Sequence, residues 1–97
     1  MFYVYILYSA PFDKYYVGQT DDIERRLAEH NGLATTSYTS KYRPWLLQLT
    51  VACTSRKRAV QLERFIKSKK RKAFIIALIE DPEFRLRVIA PYTGEAG

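Results

Sequence analysis

The sequence predicts a mixed α/β domain, with a small three-stranded antiparallel sheet flanked by helices. Three observations carry that prediction. Phe2 to Tyr8 is an unbroken run of aromatic, β-branched and leucine residues. It is too short to cross a bilayer and has no period-2 polar face, so it reads as a strand covered on both sides. Lys14 to Thr20 resumes the pattern after the turn chemistry of Ser9-Ala10-Pro11-Phe12-Asp13, and two strands joined by a short loop make an antiparallel hairpin. Pro44 opens a third apolar run, Trp45 to Ala52, which Gln48 and Thr50 interrupt within a mostly buried pattern. Helical spacing follows the second and third runs.

In chain order, Gly18 stands near the end of the second strand, where a missing side chain lets a helix, a ligand or another backbone come close. Asp21 with Glu24 three residues on is an acidic variant of the capping box and predicts a helix start. Ile23 and Leu27, with Ala28 beside them, form its inner face, and Asn31-Gly32 stops it. Arg26 and His30 are four apart and therefore share a helix face. Leu33 to Arg43 shows no strong period and reads as a loop. Its hydroxyls, Tyr38, Tyr42, Lys41 and Arg43 suit either a solvated connection or one that tracks phosphates.

After the third strand, Thr54-Ser55 can cap a helix whose inner stripe is Ala59, Leu62 and Ile66, with Val60 beside it. Glu63 borders that stripe, and a carboxylate there needs a partner. Lys67 at i+4 offers an ordinary helical ion pair worth about 0.2–0.5 kcal/mol. Lys67-Ser68-Lys69-Lys70-Arg71-Lys72 crowds five cations around one serine, which fits either a solvated face or a phosphate-binding edge. Ala73 to Ile79 predicts a short helix packing Phe74, Ala77 and Leu78 on the core, ended by Asp81-Pro82. In the tail, Glu83 to Gly97, the alternation of Phe84, Leu86 and Val88 predicts an added edge strand or a frayed end.

Ninety-seven residues provide one modest core. Sixteen lysines and arginines against ten acidic residues give a formal charge of +6, a balance that suits a polyanion such as nucleic acid. Cys53 is the single cysteine, so no internal disulfide can form, and it reads as a small buried residue of a reducing compartment. The apolar start lacks a basic n-region and a small-residue cleavage site, which reads as no signal peptide and a cytoplasmic chain. No Cys/His set has zinc spacing, and no glycine-rich loop has phosphate-cradle spacing.

Tyr3-Val4-Tyr5, Tyr16-Val17-Gly18 and Arg26-Leu27-Ala28-Glu29-His30 resemble the GIY-YIG nuclease superfamily. The closest likeness is to its small single-domain bacterial branch of excinuclease-like proteins. The resemblance runs from about Phe2 to Ile79 and implies a nuclease domain over residues 1–80, with 81–97 as a tail or a short extra element. Tyr3-Val4 replaces the Gly-Ile of the family name and Val17 replaces its second isoleucine, changes that a strand accepts.

The resemblance implies a metal-dependent endonuclease acting on DNA, branched or damaged DNA included. Glu63 would hold a single Mg²⁺ or Mn²⁺, and Arg26 would clamp the phosphate with its forked donors. Tyr5 would be the general base or part of a relay, its phenol lowered by nearby positive charge. Tyr16 and His30 would complete the cluster, with Lys41, Arg43, Lys67, Lys69, Lys70 and Arg71 on the DNA. Larger members carry a separate DNA-binding domain; without one, weak binding, structure-dependent substrates or reliance on a protein partner are expected. The competing readings are a non-catalytic nucleic-acid-binding module and an interaction domain that keeps only the fold.

Overall fold

The structure, a computed structural model, describes residues 1–33 and 38–93. Residues 34–37 of the loop and 94–97 of the tail lie outside the described residues. Strands β1 (Phe2–Ser9), β2 (Lys14–Thr20) and β3 (Leu46–Cys53) form one antiparallel sheet in the order β2-β1-β3. The helices are α1 (Ile23–Ala28), α2 (Arg56–Lys69), α3 (Lys72–Glu80) and α4 (Pro82–Ile89).

The central position of β1 accounts for its lack of a polar face. Val4 and Ile6 point into one core with Val17, Val51, Ala59, Leu62, Ile66 and Leu78. Tyr5 and Leu7 point the other way and pack with Trp45, Tyr16, Ile23 and Leu27. One strand thus supplies both sides of the sheet, as alternation of side chains requires. Cys53 is fully buried, and burial raises its thiol pKa.

Strand β3 differs from the buried run read in the sequence. It is a sheet edge, and Leu46, Leu47 and Gln48 are exposed. Ile6 pairs with Leu49 but Leu7 with Leu47, so Gln48 is the extra residue of a bulge.

One cap departs from the sequence reading and one agrees with it. Asp22, not Asp21, caps α1: its Oδ1 accepts from the Arg25 amide at 3.0 Å, while Asp21 pairs with the Arg25 guanidinium at 3.4 Å. Ser55 caps α2 through its Oγ and the Arg58 amide, as expected.

Over its described residues the tail is the helix Pro82–Ile89 and a 3₁₀ turn, Ala90–Tyr92, not an edge strand or a frayed end. Asp81 ends α3 and also caps α4, accepting from the Glu83 and Phe84 amides at 3.1 Å, with Pro82 in the first turn. An Asp-Pro pair that stops one helix can start another, because proline has no amide to lose at the first helical position. Phe84 and Val88, four apart, pack on the core, whereas Leu86 is 64% exposed. The alternation was an i, i+4 stripe with an exposed leucine between.

Candidate active site

β1 and β2 run side by side with Tyr5 opposite Gly18 and Leu7 opposite Tyr16. The Tyr5 ring lies across the Gly18 backbone. A Cβ on Gly18 would stand 2.5 Å from Tyr5 Oη, 2.6 Å from its Cζ and 3.1 Å from Tyr16 Cε1. The glycine is therefore required by the phenol it faces. Gly18→Ala is expected to push the buried Tyr5 ring aside and to cost about 1–3 kcal/mol, the usual scale of overpacking. Urea unfolding of wild type and variant measures it, and equal midpoints would mean that the ring accommodates the methyl without strain.

Arg26 and His30 do not sit on one regular helix. α1 ends at Ala28, and the chain widens into a π-helical turn, Glu29–Leu33, an irregularity that often marks functional segments. His30 is 4% exposed. Its Nε2 lies 2.9 Å from Tyr5 Oη and its Nδ1 2.8 Å from Thr39 Oγ1. The Tyr16 ring centroid is 4.8 Å from the imidazole and 6.2 Å from the Tyr5 ring. The Arg26 Nη1 donates to Glu29 Oε1 at 2.8 Å, and its guanidinium also interacts with the Tyr5 phenol.

Glu63 arrives on α2, whose apolar face covers the opposite side of the sheet. Its carboxylate is half-buried, and Oε2 accepts from Lys67 Nζ at 2.7 Å. Lys67 Nζ lies 5.8 Å from the Tyr16 ring centroid, and the Glu63 charge reaches Tyr5. Tyr5, Tyr16, Arg26 and His30 thus share one locus beside the outer strand β2, and Glu63 borders it through Lys67 and through its charge. The ion pair with Lys67 that the helical spacing offered is made at the same time.

The electrostatics differ from a phenol lowered by positive charge. Burial pushes the Tyr5 pKa up to about 12; Arg26 pulls against it, while Tyr16 and Glu63 add to the rise. Burial, with the Arg26 charge behind it, pushes His30 down to about 4. For Arg26, burial pulls the pKa down, but Glu29 and Tyr5 outweigh it, so the net shift is upward and the guanidinium stays charged. At neutral pH the centre therefore holds a protonated phenol, a neutral imidazole and a fixed cation.

This has a consequence for stability. An unfolded histidine takes its proton near pH 6.5 and the folded one near 4, so the unfolded state binds more protons between those values. His30 is expected to leave stability intact above about pH 6.5 and to erode it as the pH falls towards 4, by at most about 3 kcal/mol. His30→Asn should flatten that part of the acid limb relative to wild type in urea unfolding. Parallel losses in the two proteins would show that His30 is not held neutral.

The predicted DNA-contacting cations separate into groups. Lys67, Lys70 and Arg71 line a cleft beside Tyr16. Lys69 lies over the rings of Phe65 and Phe74, at 4.7 and 5.9 Å. Lys41 is exposed in the 3₁₀ turn Tyr38–Tyr42. Arg43 Nε donates to the His30 carbonyl at 2.7 Å and its Nη2 to that of Glu29 at 3.5 Å, which ties down the turn carrying the histidine.

Sequence reasoning missed the residues that support His30. Thr39 is buried, with its hydroxyl on the imidazole and its carbonyl accepting from Trp45 Nε1 at 2.8 Å. Asn31, read only as a helix stop, takes the Trp45 amide on Oδ1 at 2.6 Å and gives its Nδ2 to the Trp45 carbonyl at 2.9 Å. It serves Trp45 as a neighbouring strand would. Nothing in an Asn-Gly pair or a Thr-rich loop signals partners so distant in sequence.

Paired tyrosine-bearing strands, an arginine and a histidine after the first helix, and a glutamate on the helix after the third strand define the class. Residues 1–75 match the GIY-YIG catalytic domain, and the chain belongs to that family, whose members are generally nucleases. A UPF0213 protein of Streptococcus pneumoniae is 36% identical over 69 residues, covering 71% of this chain and 69% of the relative. The solution NMR structure of a UPF0213 protein from Bacillus halodurans has a TM-score of 0.50 and 30% identity, covering 87% of this chain and 92% of that one. The chain thus resembles a small single-domain branch of the family. No helix among the described residues is long and apolar enough to cross a membrane.

Proposed function

We propose that this protein is a metal-dependent endonuclease that hydrolyses DNA phosphodiester bonds, with structure-specific cleavage in repair or recombination as its use and the cytoplasm as its place. The catalytic part is residues 1–80, with 81–97 as an added packing element. The observation that carries this reading is the Tyr5–His30 hydrogen bond, buried beside Arg26 and within reach of the Glu63 charge. Ordinary packing of strand tyrosines does not call for a neutral imidazole on one side of a phenol and a guanidinium on the other.

In this reading His30 carries its proton on Nδ1, donated to Thr39, and accepts from Tyr5 through Nε2. Tyr5 then takes a proton from the attacking water as it passes its own to the imidazole. With a pKa near 12 the phenol is a poor source of free phenolate, so this concerted route is the accessible one. Arg26 holds the phosphoryl oxygens and their developing charge. Tyr16 orients groups in the same cluster. Arg43 acts by holding the turn that carries His30, whereas Lys41, Lys67, Lys69, Lys70 and Arg71 attract the DNA backbone.

Among the described residues no group of three or more His, Cys, Asp or Glu side chains could hold a metal together. A single half-buried carboxylate still fits a Mg²⁺ or Mn²⁺ site completed by water and substrate phosphates. Glu63 would hold that ion, which supplies charge stabilisation at the phosphoryl and leaving oxygens.

The second reading, a nucleic-acid-binding module that does not cut, is favoured by the 2.7 Å contact in which Lys67 neutralises Glu63. Both are tested on single-stranded, duplex, flapped and branched DNAs with Mg²⁺ or Mn²⁺, comparing wild type with Arg26→Ala. Metal-dependent cutting that falls by about 10²–10³-fold in the variant supports the nuclease, since a charge-stabilising donor is worth that much. Salt-sensitive binding without cutting selects the module.

A further inference from the structure

A cleft of about 480 Å³ runs between the outer edge of β2 and the corner joining α2 to α3. Its apolar walls include Val17, Ile66 and Ile75, and its cations are Lys14, Lys67, Lys70, Arg71 and Lys72. The single carboxylate on its lining, Asp13, is held by Lys72 and by the Tyr8 hydroxyl. Lys67 faces Glu63. Among the described residues, no carboxylate pairs with Lys14, Lys70 or Arg71. Lys14 rests instead on the face of Tyr42, 5.1 Å from its centroid, and Tyr16 joins the cleft to His30.

We propose that this cleft binds one unpaired nucleotide next to the scissile phosphate, so that the substrate is DNA with a single-stranded end or flap rather than continuous duplex. The proposal rests on the nuclease reading for the position of the scissile bond. A duplex keeps its bases stacked inside, so it can offer the cleft phosphates but no free base face. A nucleotide freed from the stack brings an apolar base and an anionic phosphate together, which is the pairing of walls and charges found here. The cleft volume lies within the range of pockets that enclose small ligands, about 300–1,000 Å³. β2 is an outer strand, so its unpaired edge offers backbone donors and acceptors to the base.

The test is fluorescence anisotropy in the presence of a chelator, with a blunt DNA hairpin and the same hairpin carrying a single-nucleotide overhang. Wild type is expected to bind the overhang about tenfold more tightly, the scale of one stacked base. Lys14→Glu/Lys70→Glu changes two exposed cations. It should abolish that advantage, read as the ratio of the two affinities, because loss of backbone attraction weakens both hairpins alike. Lys14→Glu/Arg71→Glu provides a second pair if the first does not fold. Equal affinity for the two hairpins in wild type, or an advantage that survives both pairs, overturns the proposal. The overhang advantage in a protein that cuts no DNA with any divalent metal supports the cleft and refutes the nuclease, whereas cutting without the advantage does the reverse.

Discussion

Tyr5→Phe is expected to lower the cleavage rate by about 10²–10⁴-fold, the usual contribution of a positioned proton-transfer group, with the fold retained. Phenylalanine keeps the ring that packs with Leu7 and Trp45 and removes only the hydroxyl. That hydroxyl is the link to His30 Nε2, and leaving the buried nitrogen without its partner costs about 1–3 kcal/mol of stability. The pH profile separates two forms of catalysis by the same residue. A free phenolate of pKa about 12 would make the rate climb tenfold per pH unit through the neutral range. A relay into neutral His30 instead gives a plateau above the histidine's pKa of about 4. Single-turnover rates between about pH 6 and 9 decide, and a unit slope in log rate would sink the relay.

Glu63→Gln should reduce cleavage by about 10²–10³-fold, as loss of a charge-stabilising element does, and should remove Mn²⁺ binding measured by electron paramagnetic resonance without DNA. The isosteric amide keeps the α2 helix and its packing. The comparison that matters is with Lys67→Met. If Glu63 serves only its ion pair, the two variants lose the same few tenths of a kcal/mol and neither changes metal affinity. If Glu63 holds the ion, they move in opposite directions: Gln abolishes Mn²⁺ binding, and Met strengthens it by releasing the carboxylate from the ammonium 2.7 Å away. Equal Mn²⁺ affinity in wild type and Glu63→Gln would remove the metal role.

Much of the architecture was legible because it is written locally. The hairpin follows from two apolar runs and a turn, and α2 from a serine cap and an i, i+3, i+7 stripe. The order of the tyrosine motifs, Arg26, His30 and Glu63 was enough to draw the resemblance that the family match bears out. Errors arose where one pattern had two physical solutions. Phe84, Leu86 and Val88 fit a strand by alternation, but Asp81-Pro82 starts a helix and the core takes only Phe84 and Val88. The Trp45–Ala52 run suggested burial, yet β3 became a sheet edge with Leu46 and Leu47 in solvent, a placement set by strand order rather than composition.

Local side-chain chemistry, through strand runs, helix stripes and caps, determined by itself the three strands and the helices that follow the second and third, and the resemblance those residues carry named five candidates for one site. Only the tertiary structure decided how those residues behave. Tyr5 meets a histidine 25 positions away, and that histidine meets Thr39. Burial then lifts the phenol and depresses the imidazole, the opposite of the lowered phenol expected from neighbouring charge. Desolvation depends on everything packed around a group, and the packing partners come from chain segments whose separation no local pattern encodes.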